Sequence, residues 1–531
     1  MTSFGFDSGL ALSLRRPLSG GGPVAPVPAN YDVIVFGDSR SAFGFDPTLD
    51  ANGYIARLQP IGVAGWIGPC SQHRLRVARN ANFGENGNTT TQMVASPRLN
   101  SAGTTNPATW FRKNSLAAGT AADILASAPG QKSLAAAAAH VAGIVAVLAG
   151  TNDAIGTFAT TSQANILTMI AALSSKVVLL YNELPRGVDK AGVAGFTVTN
   201  AVERKAFSDW INTLDFASGH ANAKANVIVI DSWAEFVDPA SGTAYLNKVG
   251  TLWDGIHPSQ YGARRLAQIT VDRLSAIWPQ WSALPAQIVR PTTHGLTTPG
   301  AQQPYVNTNP IFASPAGNGT VAGTWGVAPA AANVAQGWEI VATANATGLT
   351  GLAAKAGTDP DGFTTQDLTV TGTVAASQIA QIEVRQRLAT QATVDAEVAA
   401  GRLAFTDKLR AFGRVFVPAG STGIYFPSLE LFLQEATATK RLTARVHSAQ
   451  RSMFRDVDGL DNGGVWYDLM TEVLDLAEPN MTAAPGNVAV LSSIVVKWNL
   501  YFGNDTVATA QSINTNGPLR FSRTGFVRVA G

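Results

Sequence analysis

The chain has 531 residues, enough for more than one domain, and 46% of them are hydrophobic, which excludes disorder over most of its length. Charged residues make up only 14% and the net charge is +2, so nucleic acids and anionic membrane surfaces are unfavourable partners. The single cysteine, Cys70, excludes an intrachain disulfide and a zinc site built from cysteines.

The first 30 residues are predicted to be an arm that precedes the folded part of the chain. They end in a Gly/Pro-rich stretch over residues 20–28, a composition typical of a semi-rigid spacer. Residues 1–10 carry no basic residue, and the short apolar stretch after them runs directly into two arginines, so we predict no signal peptide. The Ala-rich segment 134–149 is shorter than a membrane-spanning helix, so we predict no transmembrane segment either.

Residues 31–282 have the pattern of an α/β domain. Short, uninterrupted apolar runs predict parallel strands buried on both faces, and a segment of helical periodicity follows the last of them. The predicted strands are 31–36, Ile144–Leu148, Val177–Tyr181 and Val227–Ile230, and the predicted helix is 263–278. Strands that alternate with helices predict right-handed βαβ units and a doubly wound sheet.

The second half of the chain has a different character. Residues 283–323 are rich in Pro, Thr, Asn and Gly and are predicted to be a linker. Residues 324–531 contain short β-branched and aromatic segments between turn signals, which predicts an antiparallel, jelly-roll-like β-sandwich that binds carbohydrate or mediates oligomerisation. Its predicted strands are 363–373, 411–417, 425–433, 442–446, 494–502 and 519–529, whereas residues 375–405 are partly helical in pattern and stay ambiguous.

Polar residues with catalytic chemistry stand at both ends of the α/β segment. Ser39 follows Gly37 and Asp38 at the carboxyl end of the first predicted strand, where open α/β sheets bind ligands, although a serine here also fits a helix cap. Asp254 precedes His257 by three residues, a spacing that lets a carboxylate orient an imidazole to take a serine proton. Taken singly, these two residues also fit a turn and a buried core histidine.

Two further loops contain hydrogen-bond donors suited to a developing oxyanion. The Gly-rich segment 82–89 includes Gly87, where a backbone N–H can be aimed, and Asn152 follows the predicted strand Ile144–Leu148. Each residue also fits a local role, because glycine is common in turns and asparagine in Asx turns. The sequence alone leaves both alternatives open.

In this order, the four segments resemble the signature blocks of the SGNH (GDSL) hydrolase family over residues 31–282. The resemblance makes Ser39 the nucleophile, His257 the base and Asp254 its orienting acid. It also assigns the oxyanion hole to the Ser39 backbone N–H, Gly87 and Asn152. It implies a flavodoxin-like three-layer α/β/α fold and two-step acyl transfer without a metal or organic cofactor.

The chain departs from the family at Arg40, where leucine often follows the serine, and we expect Arg40 to shape the mouth of the pocket. Three features favour a carbohydrate ester as substrate: no long apolar lid, the Asp-Gly-x-His-Pro form of residues 254–258, and the sandwich that follows. Four tryptophans are candidates for stacking on sugars or for the sandwich core: Trp325, Trp338, Trp466 and Trp498. We therefore predict that O-acetyl groups are removed from a host surface polysaccharide.

The Thr/Ala/Gly-rich chain with its arm and appended sandwich is also similar to bacteriophage tail fibre or tailspike proteins. This similarity predicts a virion tail location, a homotrimer, and attachment to other tail proteins through residues 1–30. Two alternatives stay open: a non-catalytic receptor-binding or structural tail protein, and a cytoplasmic esterase or thioesterase whose sandwich only oligomerises. The sequence names neither the sugar nor the ester.

Overall fold

The structure, a computed structural model, describes residues 23–45, 58–95, 132–186, 198–284, 309, 311–312, 318–355, 357–388, 391–401, 403–404, 407–435, 441–447, 464–471, 473–475, 491–505 and 507–529. Within them, an α/β unit with a parallel sheet is followed by a unit of mainly antiparallel sheets. The fold class predicted from the sequence, an α/β domain followed by a β-sandwich, is confirmed.

The sheet of the α/β unit consists of parallel strands in the order β2-β1-β3-β4-β5. Their bounds are β1 (Asp32–Gly37), β2 (Arg76–Gly84), β3 (Ile144–Leu148), β4 (Val177–Tyr181) and β5 (Val227–Ile230). Every residue of β3, β4 and β5 is buried, which explains why these strands are continuous apolar runs in the sequence. The edge strand β2 carries polar residues, lacks such a run, and was not predicted.

Helices connect these strands. They are α1 (Ser39–Ala42), α2 (Val63–Cys70), α3 (Thr90–Val94), α4 (Leu134–Ala139), α5 (Gln163–Ala172), α6 (Val198–Asn212), α7 (Ser232–Phe236) and α8 (Gln260–Ile277). The helix predicted over 263–278 is α8, which begins earlier because Ser259 caps it by accepting a hydrogen bond from the Gly262 N–H at 3.0 Å.

The described strands of the C-terminal unit form two sheets, one in the order β13-β12-β16-β10-β7-β6 and one in the order β14-β11-β18-β9-β17, with β15 on β11 and β8 on β9. The strands are β6 (Thr320–Gly323), β7 (Glu339–Ala344), β8 (Leu349–Ala354), β9 (Gln366–Val374), β10 (Ala380–Leu388), β11 (Lys408–Val417), β12 (Ser428–Glu435), β13 (Arg441–Val446), β14 (Val465–Met470), β15 (Leu474–Asp475), β16 (Leu491–Phe502), β17 (Gln511–Asn514) and β18 (Leu519–Val529). Each of the six predicted strands overlaps one of these.

The structure defines one stretch that the sequence left ambiguous and shifts one predicted boundary. The ambiguous stretch 375–405 contains strand β10 and a helix, α9 (Gln391–Ala399). The end of the predicted linker 283–323 is the edge strand β6, which pairs in parallel with β7. Phe312, also inside the predicted linker, is buried and stacks on Trp338 at 4.2 Å between ring centroids. The sandwich therefore begins before residue 324.

The described end of the N-terminal arm lies against the α/β unit. The Asn30 side chain accepts a hydrogen bond from the Gly143 N–H and donates one to the Val141 carbonyl, both at 2.8 Å. The Pro26 carbonyl accepts one from the Trp278 indole at 2.8 Å. The rest of the predicted arm, residues 1–22, lies outside the described residues.

Two of the four candidate sugar-stacking tryptophans are core residues. Trp338 and Trp498 are fully buried, which excludes them from binding a ligand, whereas Trp325 and Trp466 are half-buried. Across the described part of the chain, no helix combines the length and the apolar composition needed to cross a membrane.

Candidate active site

The carboxyl end of β1 presents Ser39 through a turn that requires glycine. Gly37 has a φ of +153°, and a Cβ atom there would lie 1.9 Å from the Leu148 carbonyl oxygen on the neighbouring strand. Asp38 caps helix α1, because its Oδ1 accepts a hydrogen bond from the Arg40 backbone N–H at 2.9 Å. The capping role thus belongs to Asp38, and the Ser39 hydroxyl is left for another partner.

That partner is His257, which in turn contacts Asp254. Ser39 Oγ lies 2.8 Å from His257 Nε2, and His257 Nδ1 lies 2.6 Å from Asp254 Oδ2. An ionised carboxylate only accepts hydrogen bonds, so Nδ1 carries the ring proton and Nε2 accepts the Ser39 hydroxyl. The structure therefore brings together the three residues predicted as catalytic, in the order that proton transfer from a serine requires.

The Asp254 carboxyl is kept ionised by groups in its own loop. Its Oδ1 accepts the backbone N–H groups of Ile256 at 2.9 Å and His257 at 2.8 Å. Burial alone would raise the pKa of Asp254, but these hydrogen bonds and the interaction with the His257 ring outweigh it and hold the pKa below its ordinary value. Asp254 is therefore a charged acceptor at neutral pH.

Backbone pairing fixes the position of this loop. The Trp253 N–H donates to the His257 carbonyl at 2.9 Å, and Leu252 and Pro258 form a β-bridge at the base of the loop. Gly255 takes a φ of +83°, a conformation that side chains disfavour. The Asp-Gly-x-His-Pro pattern is thus the sequence of one closed turn, and His257 lies near the end of that turn.

Aromatic rings lie on both sides of the His257 imidazole. The Phe43 ring is tilted against it with centroids 4.6 Å apart, and the Trp253 ring is stacked at 5.7 Å. Phe43 follows directly after α1, the helix that begins with Ser39. Neither aromatic residue was singled out from the sequence, because an isolated Phe or Trp next to a polar motif carries no distinguishing pattern.

The two predicted oxyanion loops are joined by a hydrogen bond. Asn152 Nδ2 donates to the Asn88 carbonyl at 3.1 Å, so the amide after β3 contacts the loop that contains Gly87. Gly87 has a φ of +71°, and Thr89 then starts α3 through a reciprocal capping box with Gln92. The assignment of Gly87 and Asn152 to an oxyanion hole stays a prediction, now with a defined geometry for the loops.

Asp153 is the last residue of a Gly-x-Asn-Asp motif at residues 150–153, and its hydrogen bonds join the same two loops. Its carboxylate accepts hydrogen bonds from the Thr90 backbone N–H and the Thr90 hydroxyl, both at 2.7 Å. Burial raises the pKa of Asp153 in spite of these bonds. The motif therefore supplies one residue to the predicted oxyanion hole and a second that supports it.

Arg40 does not shape the mouth of the pocket as expected, because its side chain is only 2% exposed. The guanidinium binds Asp38 through two bonds, Nε–Oδ1 at 3.2 Å and Nη2–Oδ2 at 3.0 Å, and Glu183 through two more at 3.0 and 3.2 Å. Burial lowers the pKa of Arg40, but the two carboxylates outweigh burial and raise it above its ordinary value. Arg40 is thus the centre of a buried ion cluster under the nucleophile.

The ion cluster extends to the loop that contains Asn152. Arg204 contacts Glu183 at 3.4 Å and donates to the Thr151 carbonyl at 3.1 Å. Arg186 donates to the same carbonyl and to the Thr151 hydroxyl, and burial, together with the charge of Arg204, lowers its pKa to about 10. None of these residues was predicted from the sequence; for Glu183, the signal was its position two residues after the buried strand β4, at the sheet edge that carries the site.

The other histidines that are described do not join the site. His73 and His447 are buried between the α/β unit and the sandwich, where each contacts a backbone carbonyl. Among the described residues, no group of three or more His, Cys, Asp or Glu side chains is arranged to hold a metal ion.

No curated protein matches the sequence of this chain. Among solved structures, a member of the lipolytic protein G-D-S-L family from Veillonella parvula DSM 2008 is similar at 15% identity and a TM-score of 0.26, covering 46% of this chain and 97% of that chain. The acetyl xylan esterase AlAXEase is similar at 14% identity and a TM-score of 0.24, covering 46% and 99%. A structure of carbohydrate-binding modules from the beta-sandwich superfamily is similar at 9% identity and a TM-score of 0.21; the match covers 37% of this chain and only 58% of that chain.

The sequence model of the GDSL-like Lipase/Acylhydrolase family matches residues 33–270. This range contains Ser39, Gly87, Asn152, Asp254 and His257, the residues of the site described above. The match therefore supports the GDSL (SGNH) lipase/acylhydrolase family for this chain, over its α/β unit.

Proposed function

We propose that the chain is a serine ester hydrolase with Ser39 as nucleophile, His257 as general base and Asp254 as its orienting acid. The observation that carries this proposal is the unbroken hydrogen-bonded chain from Ser39 Oγ through the His257 ring to the Asp254 carboxylate. The family match over residues 33–270 independently supports esterase or acylhydrolase activity.

In the acylation step, Ser39 Oγ attacks the carbonyl carbon of the ester while His257 Nε2 takes the hydroxyl proton. The imidazole becomes positively charged, and the Asp254 carboxylate at 2.6 Å from Nδ1 stabilises that charge. The tetrahedral intermediate then breaks its bond to the alcohol oxygen, and His257 returns the proton to the departing alcohol. In the second step His257 activates a water molecule, which releases the acid and restores Ser39.

The negative charge on the substrate oxygen requires donors that are already in place. We assign this role to the Ser39 and Gly87 backbone N–H groups and to the Asn152 side-chain amide. The bond from Asn152 to the Asn88 carbonyl occupies one amide hydrogen and leaves the second for the oxyanion. A fixed donor of this kind contributes about 10²–10³ to the rate.

Hydrolysis of p-nitrophenyl acetate tests the proposed reaction. We expect the wild-type chain to release nitrophenolate and Ser39→Ala to be inactive. Ser41→Ala is the matched control, because Ser41 is also buried in α1 but its hydroxyl faces the Phe36 carbonyl at 3.3 Å. A Ser39→Ala protein as active as the wild type would contradict the proposal.

As natural substrate we propose an O-acetylated polysaccharide. The proposal is supported by the sandwich that adjoins the α/β unit and by the half-buried Trp325 and Trp466 on it, whose rings retain some exposure. A panel of O-acetylated bacterial and plant polysaccharides, assayed for acetate release with wild type and Ser39→Ala, tests it. Serine-dependent release from one polymer supports a carbohydrate deacetylase, whereas activity on the small ester alone favours a general esterase or thioesterase.

We further propose that the esterase is a subunit of a bacteriophage tail fibre or tailspike, assembled as a homotrimer. Its support is the low-charge, Thr/Ala/Gly-rich composition and the sandwich that follows the catalytic unit. Sedimentation equilibrium of the full chain tests the assembly: a trimer is expected, and a monomer contradicts it. Inactivity on every ester by a folded trimer would instead favour a receptor-binding or structural tail protein.

A further inference from the structure

The α/β unit and the sandwich share a buried aromatic interface. Trp66, on helix α2, is fully buried, and its ring lies 4.8 Å from Phe426, 4.4 Å from His447 and 5.1 Å from Tyr467 of the sandwich. Helix α2 packs directly on strand β14, which contains Tyr467. The contact is therefore of the kind found inside a domain core rather than between loosely tethered modules.

Hydrogen bonds fix the orientation of this interface. His447 Nε2 donates to the Gly65 carbonyl at 2.7 Å, and His73 Nε2 donates to the Asp468 carbonyl at 2.9 Å. These bonds run in both directions, from the sandwich to α2 and from the α/β unit to β14. The His447 bond is buried and the His73 bond is partly buried, so breaking either one would leave polar groups poorly solvated, which favours one relative position of the two units.

A second contact between the units reaches the active site. Ile379, Tyr425 and Tyr501 of the sandwich form a buried cluster with Ile61 of the α/β unit, and Phe43 packs against that cluster. Phe43 is the residue whose ring lies 4.6 Å from the His257 imidazole. Phe43 thus stands between the sandwich and the proposed general base.

We propose that the β-sandwich is a structural part of the catalytic centre, in which Tyr425 and Tyr501 hold Phe43 as a positioning residue against His257. The inference rests on the proposed esterase function of Ser39 and His257. It extends the sandwich's role beyond carbohydrate binding or oligomerisation: the sandwich supports Phe43, the residue whose ring contacts the imidazole.

The physical reason is that proton transfer from Ser39 to His257 is sensitive to small displacements of the imidazole. The Phe43 ring limits where the imidazole can lie, and the buried cluster that contains Tyr425 and Tyr501 limits where Phe43 can lie. A shift of about 1 Å in a reacting group costs up to about 10²-fold in rate. Removing a sandwich tyrosine is therefore expected to reduce reactivity at Ser39, although neither tyrosine belongs to the sequence motifs of the α/β unit.

The experiment uses full-length variants and two readouts, kcat and KM for p-nitrophenyl acetate and the rate at which a fluorophosphonate labels Ser39. We expect Tyr501→Leu, Tyr425→Leu and Phe43→Leu each to lower kcat and the labelling rate by about 10-fold or more, with KM changed by less than about 3-fold. Tyr501→Phe, which retains the ring, is expected to restore both rates.

Phe521→Leu is the matched control for lost packing. Phe521 is fully buried in the other sheet of the sandwich, where its ring contacts Trp498 at 5.4 Å. We expect this variant to lose stability in urea comparably to Tyr501→Leu, yet to keep the wild-type kcat and labelling rate. The comparison separates a positioning role from general destabilisation of the sandwich.

Two results overturn the inference. If Tyr501→Leu and Tyr425→Leu retain wild-type kcat and labelling rates, the sandwich does not position the site. If Phe43→Leu alone is impaired, Phe43 acts without help from the sandwich. A wild-type chain that the fluorophosphonate does not label at all would instead refute the proposed esterase function, so the two failures are distinguishable.

Discussion

The Arg40 guanidinium lies 3.0 Å from the Glu183 carboxylate, across the edge of the parallel sheet and 143 positions along the chain. The pair joins the residue after the proposed nucleophile to the end of strand β4. Through Arg204 and the Thr151 carbonyl, the same ion cluster reaches the residue before Asn152. The nucleophile and the predicted oxyanion amide are thus connected by buried charges rather than by apolar packing.

Arg40→Leu is expected to destabilise the fold strongly. Leucine carries no charge, so the buried Asp38 loses its ion pair with Arg40 and Glu183 keeps only the longer contact with Arg204 at 3.4 Å. Breaking a buried pair in this way typically costs about 3–5 kcal/mol. Urea unfolding of the variant and the wild type measures the difference in free energy of unfolding.

Arg387→Leu is the matched control for Arg40→Leu. Arg387 also pairs with a glutamate, Glu339, but its side chain is 42% exposed. An exposed pair contributes only about 0–1 kcal/mol. If both variants lose the same small amount of stability, the Arg40 cluster does not hold the site together.

Asp254→Asn is expected to remove activity while retaining the fold. The amide NH₂ cannot accept the His257 Nδ1–H, so the ring adopts the wrong tautomer and Nε2 no longer accepts the serine proton. Loss of this carboxylate in a Ser-His-Asp triad lowers kcat by about 10⁴-fold. Ester hydrolysis measures the loss of activity, and a far-UV circular dichroism spectrum checks that the fold is retained. A decrease in kcat smaller than about 10-fold would contradict the assignment of Asp254 to the triad.

Asn152→Ala is expected to lower kcat by about 10²–10³-fold with a smaller change in KM, because an oxyanion donor acts mainly in the transition state. Asn165→Ala is a suitable control, since Asn165 likewise joins two segments: its side chain donates to the Thr90 and Thr91 hydroxyls of α3 at 3.1 and 3.2 Å. Steady-state kinetics of the two variants tests the assignment. Equal, small losses of kcat in both would mean that Asn152 only ties loops together.

The buried histidines between the two units, His73 and His447, are expected to lower the free energy of unfolding in acid. Burial lowers the pKa of His73 to about 4 and of His447 to about 3, from an ordinary value of 6.5. At a pH between the ordinary pKa of 6.5 and the lowered pKa of each histidine, the unfolded chain binds protons that the folded chain does not. Stability is therefore complete above about pH 6.5 and is lost as the pH falls towards 4 and then 3, by about 2 kcal/mol per histidine at about pH 5.

Urea unfolding at about pH 7.5 and about pH 5 measures this loss. His447→Gln is expected to be less stable than the wild type at the higher pH but to lose less stability on acidification. His220→Gln, at an exposed histidine, serves as the control. A His447→Gln protein whose acid sensitivity equals that of the wild type would show that protonation at this interface does not govern stability.

The sequence predicted those parts of the fold that depend on local patterns. Strands β3, β4 and β5 are fully buried, so their apolar runs marked them with the bounds that the structure shows. The arrangement of Ser39, His257 and Asp254 could be predicted because the proposed chemistry requires particular residue types in short, ordered motifs. The edge strand β6 was placed in a linker because it has only four residues and little burial.

Long-range contacts could not be predicted in this way. Nothing in the segment around Arg40 indicates that its guanidinium turns inward to Glu183, because that carboxylate lies 143 residues away in the chain. The position of Phe43 against the buried cluster likewise depends on residues of the sandwich that lie far away in the sequence. Charged and aromatic side chains that contact residues far away in the sequence produce no local periodicity or spacing by which a single sequence could reveal them.

Ser39 is tested as the nucleophile by identifying the residue that a fluorophosphonate modifies in the full-length wild-type protein. Mass spectrometry of proteolytic fragments locates the adduct, and the rate of labelling is compared with that of His257→Gln. We expect one adduct, on Ser39, that forms at least about 10²-fold more slowly without His257. An adduct elsewhere, or none on Ser39 in the folded protein, would contradict the assignment of Ser39 and His257 as nucleophile and base.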